Sequence, residues 1–281
     1  MPADRIAENL AFVNWTVLTG LAVGAFAVVV LARLRTTATR GYLVFCAACA
    51  LAFGALALTS DTALPTGLIG SPVVVDPAFD LPRRVLLVAF LVLAVATIVV
   101  LARGGRADRI GPLGVAAGIG VWLAAAAGWG DGPVGAAFLF VQLAVLGCAT
   151  GGVFAAMVLG HWYLVTPKLP EAPLILVARL LLVVVAVQLG LFVVWAAVGA
   201  GAGGVPGGGP FSALTGPWAL FVWLRLVVGL VFPLIVSWAA VQTARSRSME
   251  SATGLLYINV GTIAAGTILA AGLYFGAGLL V

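Results

Sequence analysis

The single histidine of the chain, His161, stands in the run His161-Trp162-Tyr163, and two arginines, Arg179 and Arg225, lie inside long apolar stretches. An imidazole can ligate a metal or exchange a proton near neutral pH. A guanidinium in hydrocarbon demands a partner, a water-filled cavity or an anion. Two sets of polar residues follow from helical spacing. His161, Tyr163, Arg179, Tyr257 and Asn259 come from three apolar stretches and fall near one membrane surface, where they are candidates for holding a cofactor. Gln142, Gln188 and Arg225 fall nearer the opposite surface, Arg225 at a depth of about 12 Å counted from Pro217. They are candidates for binding a substrate or an anion. Glu171 stands between the first two elements of the first set, available to pair with Arg179 or to orient His161.

Each of these residues also has a packing role open to it. His-Trp-Tyr suits the headgroup level of a bilayer. An arginine one or two turns from a helix end can snorkel, and Gln or Asn can bond helix to helix.

Other chemistry is sparse. No carboxylate lies in the core of any apolar stretch, which disfavours a carboxylate proton relay or a cation site. With one histidine, a bis-histidine haem cannot be built from this chain alone, although a single-histidine haem can. Cys46 and Cys49 form a C-x-x-C inside an apolar helix without a second pair, and with Cys148 they read as packing residues. The glycine-rich stretch from Gly199 to Gly216 lacks the Lys-Ser/Thr ending and the preceding strand of a P-loop. No self-contained catalytic motif or metal-ligand set is present.

These side chains must be positioned by membrane helices. The 281 residues are 63% hydrophobic and 8% charged, with a mean hydropathy of +1.23. Such a chain cannot cover a soluble surface. Runs of about twenty apolar residues without alternation read as helices, because hydrocarbon leaves no partner for an open backbone. Eight spans are expected, at about 10–32, 41–59, 84–102, 110–129, 134–160, 173–199, 217–241 and 252–280. The longest connection between the early spans, from Ser60 to Pro82, carries Asp61, Asp76 and Asp80.

Residues 12–31 match residues 140–159 at a constant offset of 128, with nine identities that include Phe12/Phe140, Gly24/Gly152, Phe26/Phe154 and Leu31/Leu159. Such self-similarity predicts a duplication. An even number of spans per half gives the halves the same orientation, so the fold class is all-α: eight transmembrane helices in two parallel four-helix repeats, residues 1–132 and 133–281. The second repeat carries most of the buried polar residues. It has Arg225 where the first has Phe90, and His161 where the first has Arg33. Gly151/Gly152 and Gly261/Gly266 are expected helix contacts.

Arg33, Arg35, Arg40, Arg103, Arg106, Arg109, Lys168, Arg245 and Arg247 all fall in the connections after spans 1, 3, 5 and 7. The positive-inside rule then places both termini outside, in a bacterial-type cytoplasmic membrane. The net charge of +5 thus reports topology and needs no nucleic acid partner. The first apolar run lacks a basic n-region and is long enough to span, so no cleavable signal peptide is expected.

Minimal loops and interfacial His161 and Tyr163 fit a membrane subunit of an electron-transfer complex, associated with a quinone or a haem and with other membrane or redox subunits. It would be a non-catalytic or quinone-handling part of an oxidoreductase. The alternative is a transporter or channel for a neutral or anionic small molecule, running between the repeats with Arg225 facing the solute. No pair of Gly/Pro-interrupted spans marks such a path. A lipid-modifying enzyme or lipid-binding scaffold has the least support, since no acidic or metal-dependent set accompanies His161.

Overall fold

The computed structural model describes residues 1–166, 169–201 and 209–281. Lys168 and residues 202–208 of the glycine-rich connection lie outside the described residues. The helices are α1 (Pro2–Glu8), α2 (Leu10–Arg35), α3 (Arg40–Thr62), α4 (Asp80–Ala102), α5 (Ile110–Trp129), α6 (Gly132–Val165), α7 (Ala172–Val198), α8 (Ala219–Leu226), α9 (Phe232–Arg245) and α10 (Met249–Ala277). With α8 and α9 taken as one broken span, eight helices among the described residues are long and apolar enough to cross a membrane. The chain is an all-helical integral membrane protein.

Helix α4 shows how sequence spacing sets the faces. Leu87, Phe90, Ala94, Thr97 and Leu101 are buried, while Val85, Val88, Val92, Val95 and Val99 are exposed. Both sets recur every three or four residues, so one stripe faces the bundle and the other its surroundings. In lipid the outward stripe is as apolar as the inward one, because the solvent itself is hydrocarbon.

Helices α2, α3, α4 and α5 form one group, each in contact with the next and α5 returning to α2. Helices α6, α7, α9 and α10 form a second group, in which α10 returns to α6. The groups meet chiefly along α2 and α6. A Cβ on Gly24 would lie 2.0 Å from the Gly147 carbonyl oxygen, and one on Gly151 would lie 2.2 Å from the Ala25 nitrogen. These backbones touch, so glycine is required there. Gly151 and Gly266 are contact points as their small side chains predict, whereas a Cβ on Gly261 would meet nothing within 4 Å. Gly152 is only in loose contact with Leu181.

The end of the bundle where α2 begins and α10 stops is called the near end, and the opposite end the far end. Ile6 of α1 packs on Gly272 and Gly276 of α10, so both chain termini are at the near end. An aromatic cluster closes that end: Trp129 meets Phe12, Trp15 and Phe275 edge-on at centroid distances of 5.3, 4.8 and 5.5 Å. The connection after α3 is tied down by Asn9, whose amide donates to Ile69 O and accepts from Ile69 N. Asp76 N also donates to Gly128 O.

The seventh span departs from the continuous helix expected. A π-helical turn, Val227–Val231, separates α8 from α9 just before Pro233. Proline has no N–H, so the Gly229 carbonyl four residues earlier loses its α-helical donor. The Arg225 Nη1 donates to that carbonyl at 3.2 Å.

Candidate functional site

Three polar groupings occur at different levels of the bundle. The first, at the near end, was not anticipated. Asp61 is expected in the connection from Ser60 to Pro82, but α3 extends to Thr62 and α4 starts at Asp80, so Asp61 and Arg83 both lie in helices and both are buried. Pro82 is compatible with the first turn of α4, where a missing N–H costs nothing. The Asp61 carboxylate accepts from Arg83 Nε at 2.6 Å and Nη2 at 3.2 Å, from Arg84 Nε at 2.8 Å and from Trp15 Nε1 at 2.8 Å. Arg83 also pairs with Asp80 at 3.0 Å, and its guanidinium carbon lies 4.8 Å from the Trp129 ring centroid. Two carboxylates and two guanidiniums thus neutralise one another, with the forked geometry that makes Arg–carboxylate pairs strong. The signal for this in the sequence was the i,i+3 spacing of Asp80 and Arg83.

The second grouping joins two of the three residues expected to share a layer. Arg225 Nη2 donates to Gln188 Oε1 at 2.8 Å, and Gln188 Nε2 donates to Val145 O of α6 at 2.8 Å. Gln142 is directed elsewhere, with a long 3.5 Å bond to Ala270 O, and its Oε1 is buried without a partner. One turn below Val145 and across to α10, the Thr150 and Thr267 hydroxyls lie 2.7 Å apart. Arg225 is 2% exposed, and its Nε has no hydrogen-bond partner. Among the described residues no carboxylate forms an ion pair with it. Its hydrogen-bond partners all belong to the second helix group, so the node lies inside that group and not on the α2–α6 seam.

The third grouping lies at the far end. The His161 Nδ1 of α6 and the Tyr257 hydroxyl of α10 are 3.3 Å apart, and both side chains are exposed on the helix surface. Arg179 of α7 is exposed as well and makes no hydrogen bond or ion pair among the described residues. Tyr163 is buried and donates to Pro170 O of the connection between α6 and α7. Asn259 is buried and donates to Ser237 Oγ of α9 at 2.8 Å, so it braces α9 against α10 and does not face His161. Glu171 takes neither expected partner; it pairs with Arg247 at 2.7 Å. That pair borders an open cavity of about 480 Å³ lined also by Tyr163, Ser248 and Glu250. Of the five far-end candidates, then, only His161 and Tyr257 are in mutual contact at the surface.

Among the described residues no cluster of three or more His, Cys, Asp or Glu side chains could hold a metal ion. Cys46 is buried and Cys49 half-buried on α3, and both are free thiols. Comparison with known protein families, curated proteins and solved structures gave no match. The class of the molecule therefore rests on its own features: it is a polytopic α-helical integral membrane protein.

Proposed function

We propose that this chain is the membrane subunit of an electron-transfer complex and that its His161–Tyr257 pair receives a quinone-type headgroup. The observation that carries the reading is the 3.3 Å approach of an imidazole nitrogen and a phenol hydroxyl from two different helices on an exposed face. A quinone arrives sideways through the bilayer, and its carbonyl oxygens need hydrogen-bond donors and protons when it is reduced. His161 can exchange protons with the water at the far end, and Tyr257 can donate to a carbonyl oxygen. Exposed Arg179 adds a positive charge at similar depth, about 10 Å along α7 from Ala172. His161 is also the chain's one candidate histidine ligand for a haem. Electrons would come from a partner subunit docked at the far end.

The topology supports this reading. Arg33, Arg35, Arg40, Arg103, Arg106, Arg109, Arg245 and Arg247 gather at the far end, which we infer is cytoplasmic, with both termini outside. We also infer two parallel repeats. Contacts between α2 and α10 are matched by contacts between α6 and α5, as a pseudo-two-fold axis along the membrane normal requires.

The test uses the protein purified with whatever subunits accompany it. Extracted quinone is measured by mass spectrometry, the visible spectrum is recorded, and a short-chain quinone is titrated. Quinone should bind the native protein and bind at least tenfold more weakly to His161→Ala and Tyr257→Phe; equal binding by the double variant overturns the site. A haem Soret band lost in His161→Ala would replace quinone by haem. A second reading, a transporter for a small anion, is favoured by one observation: the buried Arg225 has no carboxylate partner among the described residues.

A further inference from the structure

We propose that the Arg225–Gln188 node is a binding site for a small monovalent anion. The inference is independent of the quinone reading and names the ligand class for the transport reading. It rests on a comparison of two interfaces. Between α3 and α4, the buried Arg83 is bonded to the Asp61 carboxylate. Between α7 and α8, the buried Arg225 is bonded to the neutral amide of Gln188. One guanidinium is neutralised by its own chain; the other, about 9 Å along the helix from Ala219, has no carboxylate partner among the described residues.

The geometry fixes that charge in place. Arg225 gives Nη1 to Gly229 O and Nη2 to Gln188 Oε1, both uncharged acceptors, and leaves Nε buried with no acceptor. Gly229 and Gly266 lie against each other and together pack on Nη1: a Cβ at Gly266 would lie 2.9 Å from that nitrogen, and one at Gly229 would lie 3.2 Å from it. The side chain therefore has little freedom to snorkel to water. An unpaired cation in this setting is costly, and an anion on Nε supplies both the missing hydrogen bond and the missing charge. Asp61 is the chain's own version of such an anion.

Thermal unfolding of the purified protein tests the proposal in sodium chloride, bromide, acetate and gluconate at matched ionic strength. Gluconate is the oversized control. A bound anion should raise Tm saturably, by on the order of 5 °C at a hundredfold excess over Kd. Chloride and bromide acting without acetate would assign a halide; acetate acting as well would assign small carboxylates. Gln188→Glu supplies a built-in carboxylate where the first interface has one, so this variant should be at least as stable as the native protein and lose its anion dependence. Arg225→Gln should lose the dependence too, whatever its stability. No saturable anion effect on the native protein, or an undiminished effect in Gln188→Glu, overturns the site. Anion binding without flux in proteoliposomes would retain the site and remove the transport reading.

Discussion

Asp61 is the most heavily bonded side chain among the described residues, with Trp15, Arg83 and Arg84 all donating to one buried carboxylate. Removing one partner of such a pair leaves a desolvated charge behind, at a cost of about 3–5 kcal/mol. Asp61→Asn should therefore destabilise the protein by roughly 3 kcal/mol in a reversible detergent-unfolding titration, and a change below about 1 kcal/mol would show that the arginines find water instead. Single residues were unevenly legible in the sequence. Helical rise put Gln142, Gln188 and Arg225 at one level, but of the three only Gln188 and Arg225 meet, which depth alone could not select. Asp61 could not be placed at all, since its burial depends on α3 running on to Thr62 and on Trp15 arriving from another helix. Nor could Tyr163 and Asn259 be separated from His161: depth does not say which way a side chain turns, and theirs turn to Pro170 of the connection and to Ser237 of α9.

At the scale of elements, apolar length located all eight spans, because lipid permits little besides helix for such runs. What length could not give was the break in the seventh. Pro233 was visible, yet a π turn in place of a simple kink depends on Arg225 reaching Gly229 O. Glycine pairs were also only partly readable, since Gly261 resembles Gly266 in sequence but faces open space. Gly24→Ala would push a methyl group into the Gly147 backbone and should cost about 1–3 kcal/mol, whereas Gly261→Ala should be neutral or slightly stabilising. Thermal unfolding of the two variants side by side checks this, and equal melting temperatures would mean that α2 and α6 can move apart at no cost.

For the whole molecule, the two helix groups are each closed rings joined along a seam, with Gly132 at positive φ at the start of α6 where the chain passes from one to the other. Fragments 1–131 and 132–281 produced from separate genes should therefore copurify after extraction, and Gly24→Ala in the first fragment should reduce the recovery of the second. Failure of the native fragments to associate would mean that the turn itself holds the halves together. The match of 12–31 to 140–159 is the sequence basis for the proposed four-plus-four plan, whereas the neutral charge cluster at the near end has no counterpart among the described residues of the second group. The glycine seam also has a consequence in time. Gly24 precedes Gly147 by roughly 120 residues, which at ordinary synthesis rates is a wait of about 6 to 25 s. Throughout that interval the membrane already holds α2 with its intended neighbour unmade, so a nascent α2 must be kept from pairing with the wrong helix while the ribosome works towards α6.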